Sequence, residues 1–123
     1  MLVLTASDVE RLLTIRDCIP AMRSAMVQLS SGQTRQPLRQ FMAIPGVDGK
    51  LGLMPGWLAE PPRFGVKIVS KYVRAPTDPH GTHVGAVMLF DAATGLPIAL
   101  IEGGSLTATL RWTTLATVKT RLM

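Results

Sequence analysis

The sequence predicts an α+β fold, with two helices near the N-terminus, a mixed or antiparallel sheet of five or six strands, and a C-terminal helix. Apolar residues recur at helical spacing before residue 32 and after residue 105, and the segments between are short, apolar and separated by turn residues. Strands grouped apart from helices are typical of the α+β class. The 123 residues match the length of one domain, so we expect residues 1–123 to form a single domain.

Capping residues and a helix-terminating glycine predict the N-terminal elements. Leu2–Leu4 predicts a short strand, and Thr5 or Ser7 is suited to cap the helix that follows it. A second helix is predicted from about residue 16 to residue 30, and Gly32 ends it.

The buried face of the second helix is predicted from its periodicity. Apolar residues three and four apart should pack on the core, and two smaller residues flank them. The predicted core residues are Ile19, Met22, Met26 and Leu29, with Cys18 and Ala25 on the flank. We interpret the two methionines as packing residues rather than ligands.

Five further segments predict strands, since each is short, apolar and bounded by turn residues. They are residues 39–44, 51–57, 65–72, 84–90 and 96–101. Asp48-Gly49 is typical of a type I′ hairpin turn, and Asp91–Gly95 predicts a second turn. Residues 84–90 are wholly apolar, so we expect that strand to be covered on both faces.

Lys67 is the most informative charged residue. Alternation places it with Val69 on one face of its strand, opposite Val66 and Ile68. A lysine inside an apolar strand either extends to water at a sheet edge or meets an anion. Arg39 opens another strand and Arg111 lies early in the last helix. If the three cations converge, they form a carboxylate clamp.

Composition excludes several classes of protein. Hydrophobic residues are 47% and charged residues 17%, which excludes a disordered chain. The net charge is +5, but no three basic residues are consecutive and aromatics are 5%, so we expect no nucleic-acid partner. His80 and His83 lie three apart across a Pro/Gly loop boundary, and a metal site needs at least a third ligand, so no metal site is expected. The mean hydropathy of +0.29 suggests that a partner covers part of the surface.

Sequence features also bear on location. The longest apolar runs are far shorter than the roughly 20 residues of a membrane span. The N-terminus has no basic region of a signal peptide, and Cys18 is the only cysteine. We therefore expect no membrane partner and a cytoplasmic location.

Five segments, in order, resemble the N-terminal part of the ornithine cyclodeaminase/mu-crystallin family. They are Lys50–Trp57, Gly65–Ser70, His83–Asp91, Ala93–Ile101 and Leu106–Ala108. Members of that family are NAD(P)-dependent, and they include ornithine cyclodeaminases, amino acid dehydrogenases and ketimine reductases. The resemblance implies a substrate-binding and dimerisation domain that dimerises through its sheet, followed by a Rossmann domain.

The resemblance also implies roles for individual residues. Arg39, Lys67 and Arg111 are similar to the cations that hold the substrate carboxylate, and Lys67 is similar to a catalytic residue that assists proton transfer. Met54 is expected to line the pocket, whereas His83 and Gly85 are expected to be structural. Ornithine-specific members carry an acid at the position of Gly52, so recognition of a second amine is not expected. This chain also has one extra residue before Arg111.

The sequence contains no G-x-G-x-x-G fingerprint, so we name no cofactor-binding residues. We interpret the chain as a truncated or isolated substrate-binding half of an NAD(P)-dependent enzyme, inactive by itself. It would act on a small amino or imino acid as a homodimer or with a separate Rossmann-domain chain. The alternatives are a non-catalytic dimerisation or interaction module and a frameshifted remnant.

Overall fold

The structure is a computed structural model, and it describes residues 1–106. A third helix begins at residue 103, so most of the predicted C-terminal helix lies outside the described residues. The other elements are α1 (Ala6–Leu12), α2 (Ile15–Ser30), β1 (Leu2–Leu4), β2 (Thr34–Arg35), β3 (Gln40–Ala43), β4 (Gly49–Leu58), β5 (Arg63–Tyr72), β6 (His83–Asp91) and β7 (Pro97–Glu102).

The strands form one mixed sheet in the order β1-β7-β6-β5-β4-β2, and β3 also pairs with β4. Only β1 and β7 are parallel among these pairs. This confirms the α+β class and the mixed sheet. The sheet has seven strands rather than five or six. The sequence did not predict β2, because two residues carry no periodicity that marks a strand.

Each N-terminal helix begins after a threonine that caps it. The Asp8 N–H donates to Thr5 Oγ1 at 3.3 Å, and the Asp17 N–H donates to Thr14 Oγ1 at 3.2 Å. The Thr5 N–H donates in return to Asp8 Oδ2 at 2.9 Å, which completes a capping box. Gly32 ends α2 with φ of 76°, a left-handed conformation that glycine adopts without strain.

The buried face of α2 matches the predicted one in part. Of the predicted core residues, Ile19 and Met22 are half-buried, whereas Met26 and Leu29 are exposed by 53% and 43%. Cys18, predicted on the flank, is buried.

Gln28 is buried and anchors α2 to the connection between β4 and β5. Its Nε2 donates to the Glu60 carbonyl at 2.6 Å, and the Glu60 N–H donates to its Oε1 at 2.9 Å. A buried amide needs such partners, because an unpaired polar group inside a protein is costly. A polar residue gives no signal in a hydrophobic pattern, so the sequence could not reveal this contact.

The β3–β4 hairpin turns at a different glycine from the predicted one. Gly46 has φ of 82°, whereas Gly49 already belongs to β4 and has no positive φ. The Ile44 N–H donates to the Gly49 carbonyl at 3.0 Å, so residues 45–48 form the loop. The predicted type I′ turn at Asp48-Gly49 is therefore wrong.

The Asp91–Gly95 turn is confirmed. Asp91 Oδ1 accepts the backbone N–H groups of Ala93 and Thr94 at 3.0 and 2.9 Å, and Gly95 has φ of 71°. The carboxylate thus satisfies backbone donors that the sharp turn leaves unpaired.

Helices α1 and α2 cover one face of the sheet, the covered face, on which Val69 and Ala99 are buried. The opposite face, the open face, carries Phe64, Ile68 and Val84 with 36–40% exposure in this chain. The expectation that residues 84–90 are covered on both faces is therefore wrong within residues 1–106. In the described residues, no helix is long and apolar enough to span a bilayer.

Candidate functional site

Lys67 lies at the centre of the sheet, on the covered face. Its Cα partners are Met54 on β4 and Val87 on β6, so the three side chains form a row across three strands. Strand β5 has a neighbour on each side, so Lys67 does not extend to water at a sheet edge. Lys67 is half-buried and shares its face with buried Val69.

The row forms part of a cavity of about 390 Å³, the clamp cavity. Arg39 enters its lining from the segment between β2 and β3. The structure thus brings together Arg39, Met54 and Lys67, which are the predicted site residues within the described part of the chain. Arg111, the fourth, lies outside the described residues.

The charge of the clamp cavity favours an anion. Arg39 and Lys67 are the charged side chains among its described lining residues, and neither an aspartate nor a glutamate is among them. The acids with perturbed pKa values lie elsewhere. Backbone N–H donors of Thr94 and His80 lower the pKa values of Asp91 and Asp78, respectively, in loops outside this cavity. A carboxylate entering the cavity would meet two cations.

A second cavity of about 300 Å³, the helix cavity, lies between α2 and the sheet. It shares Gln36, Gly56 and Gly65 with the clamp cavity, so the two cavities are neighbours. Its other lining is mostly apolar and includes Met22, Ala25, Met26, Leu29, Leu58 and Leu89.

Sequence reasoning missed the three residues that the cavities share. Gln36 precedes Pro37 in a loop and gave no signal of a site. Gly56 and Gly65 are Cα partners on β4 and β5, a relation that appears only once the strand register is known. The register of β4 with β5 also places Met54 directly beside Lys67.

Gly52 and Gly85 lie on the covered face where the backbone is crowded. A Cβ at Gly85 would overlap the carbonyl oxygen of Ile68, which supports the structural role expected of this residue. A Cβ at Gly52 would lie 2.7 Å from the Phe41 ring and 2.9 Å from a Val69 methyl group. An acidic side chain therefore does not fit at position 52 unless Phe41 moves.

His83 lies at the exposed start of β6, and its Nδ1 is 3.0 Å from Thr82 Oγ1. It is not among the described lining residues of either cavity. Nothing in this geometry gives it a part in the clamp.

The described residues form neither a metal cluster nor a Rossmann-type dinucleotide site. In residues 1–106, no three His, Cys, Asp or Glu side chains lie close enough together to hold a metal ion. Within residues 1–106, β1 and β7 are the parallel strand pair, and five other strands lie between them in sequence, so these residues contain no βαβ unit. The described residues therefore do not fit a dinucleotide in the Rossmann manner.

Known proteins are similar to this chain over most of its length. The model of the ornithine cyclodeaminase/mu-crystallin family matches residues 1–122. Ketimine reductase mu-crystallin of Macropus fuliginosus is 31% identical over 110 residues, which are 85% of this chain and 35% of that protein. The NAD(P)H-dependent anabolic L-arginine dehydrogenase of Pseudomonas aeruginosa is 31% identical over 106 residues, or 86% of this chain and 33% of that protein.

A solved structure is also similar to this chain. The Δ1-pyrroline-2-carboxylate reductase of Thermococcus litoralis, in complex with NADH and L-proline, has a TM-score of 0.82 and 31% identity. The match covers 89% of this chain and 34% of that one. The chain thus spans about a third of the length of the relatives that it matches.

Proposed function

The chain belongs to the ornithine cyclodeaminase/mu-crystallin family, and we propose that it supplies the substrate-binding half of an NAD(P)-dependent enzyme acting on a small amino or imino acid. The reaction class is that of an amino acid dehydrogenase or ketimine reductase. The observation that carries the proposal is the clamp cavity, where Arg39 and Lys67 provide two cations with no described acid beside them.

Arg39, Lys67 and Met54 each have a distinct role in the proposal. The planar guanidinium of Arg39 suits a bidentate contact with the substrate carboxylate, and the Lys67 ammonium adds a point charge. Met54 packs against the substrate backbone. Fixing the carboxylate orients the α-carbon and nitrogen, and Lys67 then assists proton transfer at that nitrogen. Arg111 is proposed as the third cation of the clamp.

NAD(P) would supply or accept the hydride in the whole enzyme. Because the described residues do not fit the dinucleotide, we assign it to a Rossmann domain outside residues 1–123. The chain alone is then inactive, and NADH oxidation with pyruvate and ammonia above background would contradict this.

A homodimer is part of the proposal. The open face carries the exposed side chains of Phe64, Ile68 and Val84, and the Phe64 and Phe90 rings stack with centroids 4.9 Å apart. An apolar sheet face of this kind is typical of a surface that a partner covers. The same observation favours a second candidate function, a dimerisation module without catalysis.

Binding of a carboxylate to the 123-residue chain tests the clamp. We expect L-alanine to shift the backbone amide resonances of residues 54 and 67 in a two-dimensional NMR titration. Lys67→Gln should weaken this binding at least about tenfold, because one charge-assisted contact is lost. Arg39→Gln should have a similar effect.

Lys71→Gln is the matched control, since Lys71 lies on the same strand and the same face but outside both cavities. It should leave the affinity unchanged. Equal affinities of the wild type and Lys67→Gln, or no binding at all, would refute the clamp and favour the dimerisation module.

A further inference from the structure

We propose that the helix cavity receives the side chain of the substrate, which passes over Gly56, and that the substrate is therefore an amino or imino acid with an uncharged apolar side chain of several carbons. The inference rests on the proposed function, because it takes the clamp cavity as the site of the carboxylate. It goes further by naming the side-chain subsite and the residue that controls access to it.

Continuity between the cavities is the first observation. The clamp cavity contains both cations, and the helix cavity beside it shares Gln36, Gly56 and Gly65. Two of these shared residues are glycines paired across β4 and β5, so these two strands carry no side chain at that row. We infer that a ligand whose carboxylate contacts Arg39 and Lys67 extends over these two glycines along the covered face.

The second observation is that the fold does not require glycine at position 56. Gly65 must be glycine, since a Cβ there would lie 2.6 Å from the Met88 carbonyl oxygen. A Cβ at Gly56 would meet only the Arg35 carbonyl oxygen, at an ordinary 3.8 Å, and Gly56 has no positive φ. Glycine weakens a strand interior, so its presence here needs another reason. Leaving the passage open supplies that reason.

The lining of the helix cavity specifies the ligand. Its volume of about 300 Å³ is at the small end for a ligand pocket, which suits a side chain rather than a whole molecule. The flexible side chains of Met22 and Met26 can adapt to ligands of different shape.

The charge of the helix cavity disfavours a charged group at the end of the ligand's side chain. Arg63 is the charged residue among the described lining of the helix cavity. Its Nη1 lies 3.0 Å from Asp91 Oδ2 and also donates to the Pro62 carbonyl at 2.9 Å. This arginine would repel an ammonium group on the ligand. None of the described lining residues is a carboxylate that could pair with such a group. A terminal carboxylate would compete with Asp91 for a guanidinium that is already paired.

Three amino acids test the inference, because they share the α-carboxylate and differ only in the side chain. The probes are L-alanine, L-norleucine and L-lysine, each titrated into the ¹⁵N-labelled chain. Norleucine has three more carbons than alanine, and burial of each methylene is worth about a fourfold gain in affinity. We expect norleucine to bind at least about tenfold more tightly than either alanine or lysine. It should also shift the amides of Leu58 and Leu89, which line only the helix cavity.

Gly56→Val should close the passage. The tenfold preference for norleucine over alanine should fall to about one. Gly56→Ala is a milder version, and Gly81→Ala, where a Cβ also meets nothing closer than 4.0 Å, is the control that keeps the preference. Unchanged thermal unfolding and circular dichroism of each variant show that a lost preference is not a folding defect.

The outcomes separate this inference from the proposed function. If alanine binding depends on Lys67 but norleucine gains nothing in the wild type, the clamp stands and the subsite is refuted. A preference for norleucine that persists in folded Gly56→Val also refutes the subsite, because the side chain then lies elsewhere. Binding that is independent of Lys67, or absent for all three probes, refutes both.

Discussion

At the residue scale, Gly85 and Gly56 have different roles, although both lie inside strands on the covered face. Gly85 lies where β6 approaches β5 so closely that a Cβ would overlap the Ile68 carbonyl. Gly56 has room for a Cβ, 3.8 Å from its nearest neighbour. Gly85 is thus required by packing, whereas the fold does not require Gly56 to be glycine.

This contrast gives a stability prediction. Gly85→Ala should lower the free energy of unfolding by about 3 kcal/mol, because the backbones of two central strands must separate. Gly56→Ala, its matched control, should change it by less than about 1 kcal/mol. Urea denaturation followed by circular dichroism measures both. Equal effects of the two substitutions would show that the close approach at Gly85 does not exist in solution.

At the element scale, carboxylates hold the ends of secondary structures. Glu102 ends β7 and caps the helix that begins at residue 103, since its two oxygens accept the N–H groups of Gly104 and Ser105 at 2.6 and 2.8 Å. Partial burial raises the pKa of Glu102, but these backbone donors outweigh it, so the pKa lies below its usual range.

A pH dependence follows from the direction of this shift. A carboxyl whose pKa is lower in the folded state binds fewer protons there, so it stabilises the fold above its unfolded pKa of roughly 4.3. That stabilisation is lost as the pH falls through the folded pKa. We expect the melting temperature to fall between about pH 5 and pH 3, and to fall less in Glu102→Gln.

Asp48→Asn is the control for this experiment. Asp48 lies in the β3–β4 loop, and its side chain makes no hydrogen bond or ion pair within residues 1–106. Its substitution should leave the pH profile as in the wild type. If Glu102→Gln and the wild type lose stability in parallel, the cap does not contribute to acid sensitivity.

At the scale of the whole molecule, the helices α1 and α2 within residues 1–106 cover one face of the sheet. Helices α1 and α2 pack on the face of Val69 and Ala99, and the open face presents exposed apolar side chains over central strands. A partner that buried this face would gain about 25 cal/mol for each Å² of apolar surface. A second copy of the chain is the partner that we propose.

Dimerisation through the open face is tested by adding one charge to it. We expect the wild type to sediment as a dimer and Ile68→Lys to sediment as a monomer, because a buried lysine without a partner is costly. Val47→Lys adds the same charge at an exposed residue of the β3–β4 loop and should remain a dimer. A monomeric wild type, or a dimeric Ile68→Lys, would contradict this interface.

The sequence by itself determined the features that depend on neighbouring residues. It predicted both N-terminal helices, because their caps, apolar spacing and terminal glycine are local signals. It also predicted the apolar strands and the Asp91–Gly95 turn, whose carboxylate bonds lie within a few residues. The resemblance pointed to Arg39 and Lys67 before their positions in the fold were known.

Only the tertiary structure decided what depends on distant segments. The attachment of α2 to the β4–β5 connection depends on the bonds between Gln28 and Glu60, which are 32 residues apart. Arg39 and Lys67 line one cavity because the segment between β2 and β3 lies beside β4 and β5, and the pairing of Gly56 with Gly65 depends on the register of β4 with β5. Periodicity describes which face of an element is apolar, but long-range packing chooses which neighbours that face contacts and where cavities remain.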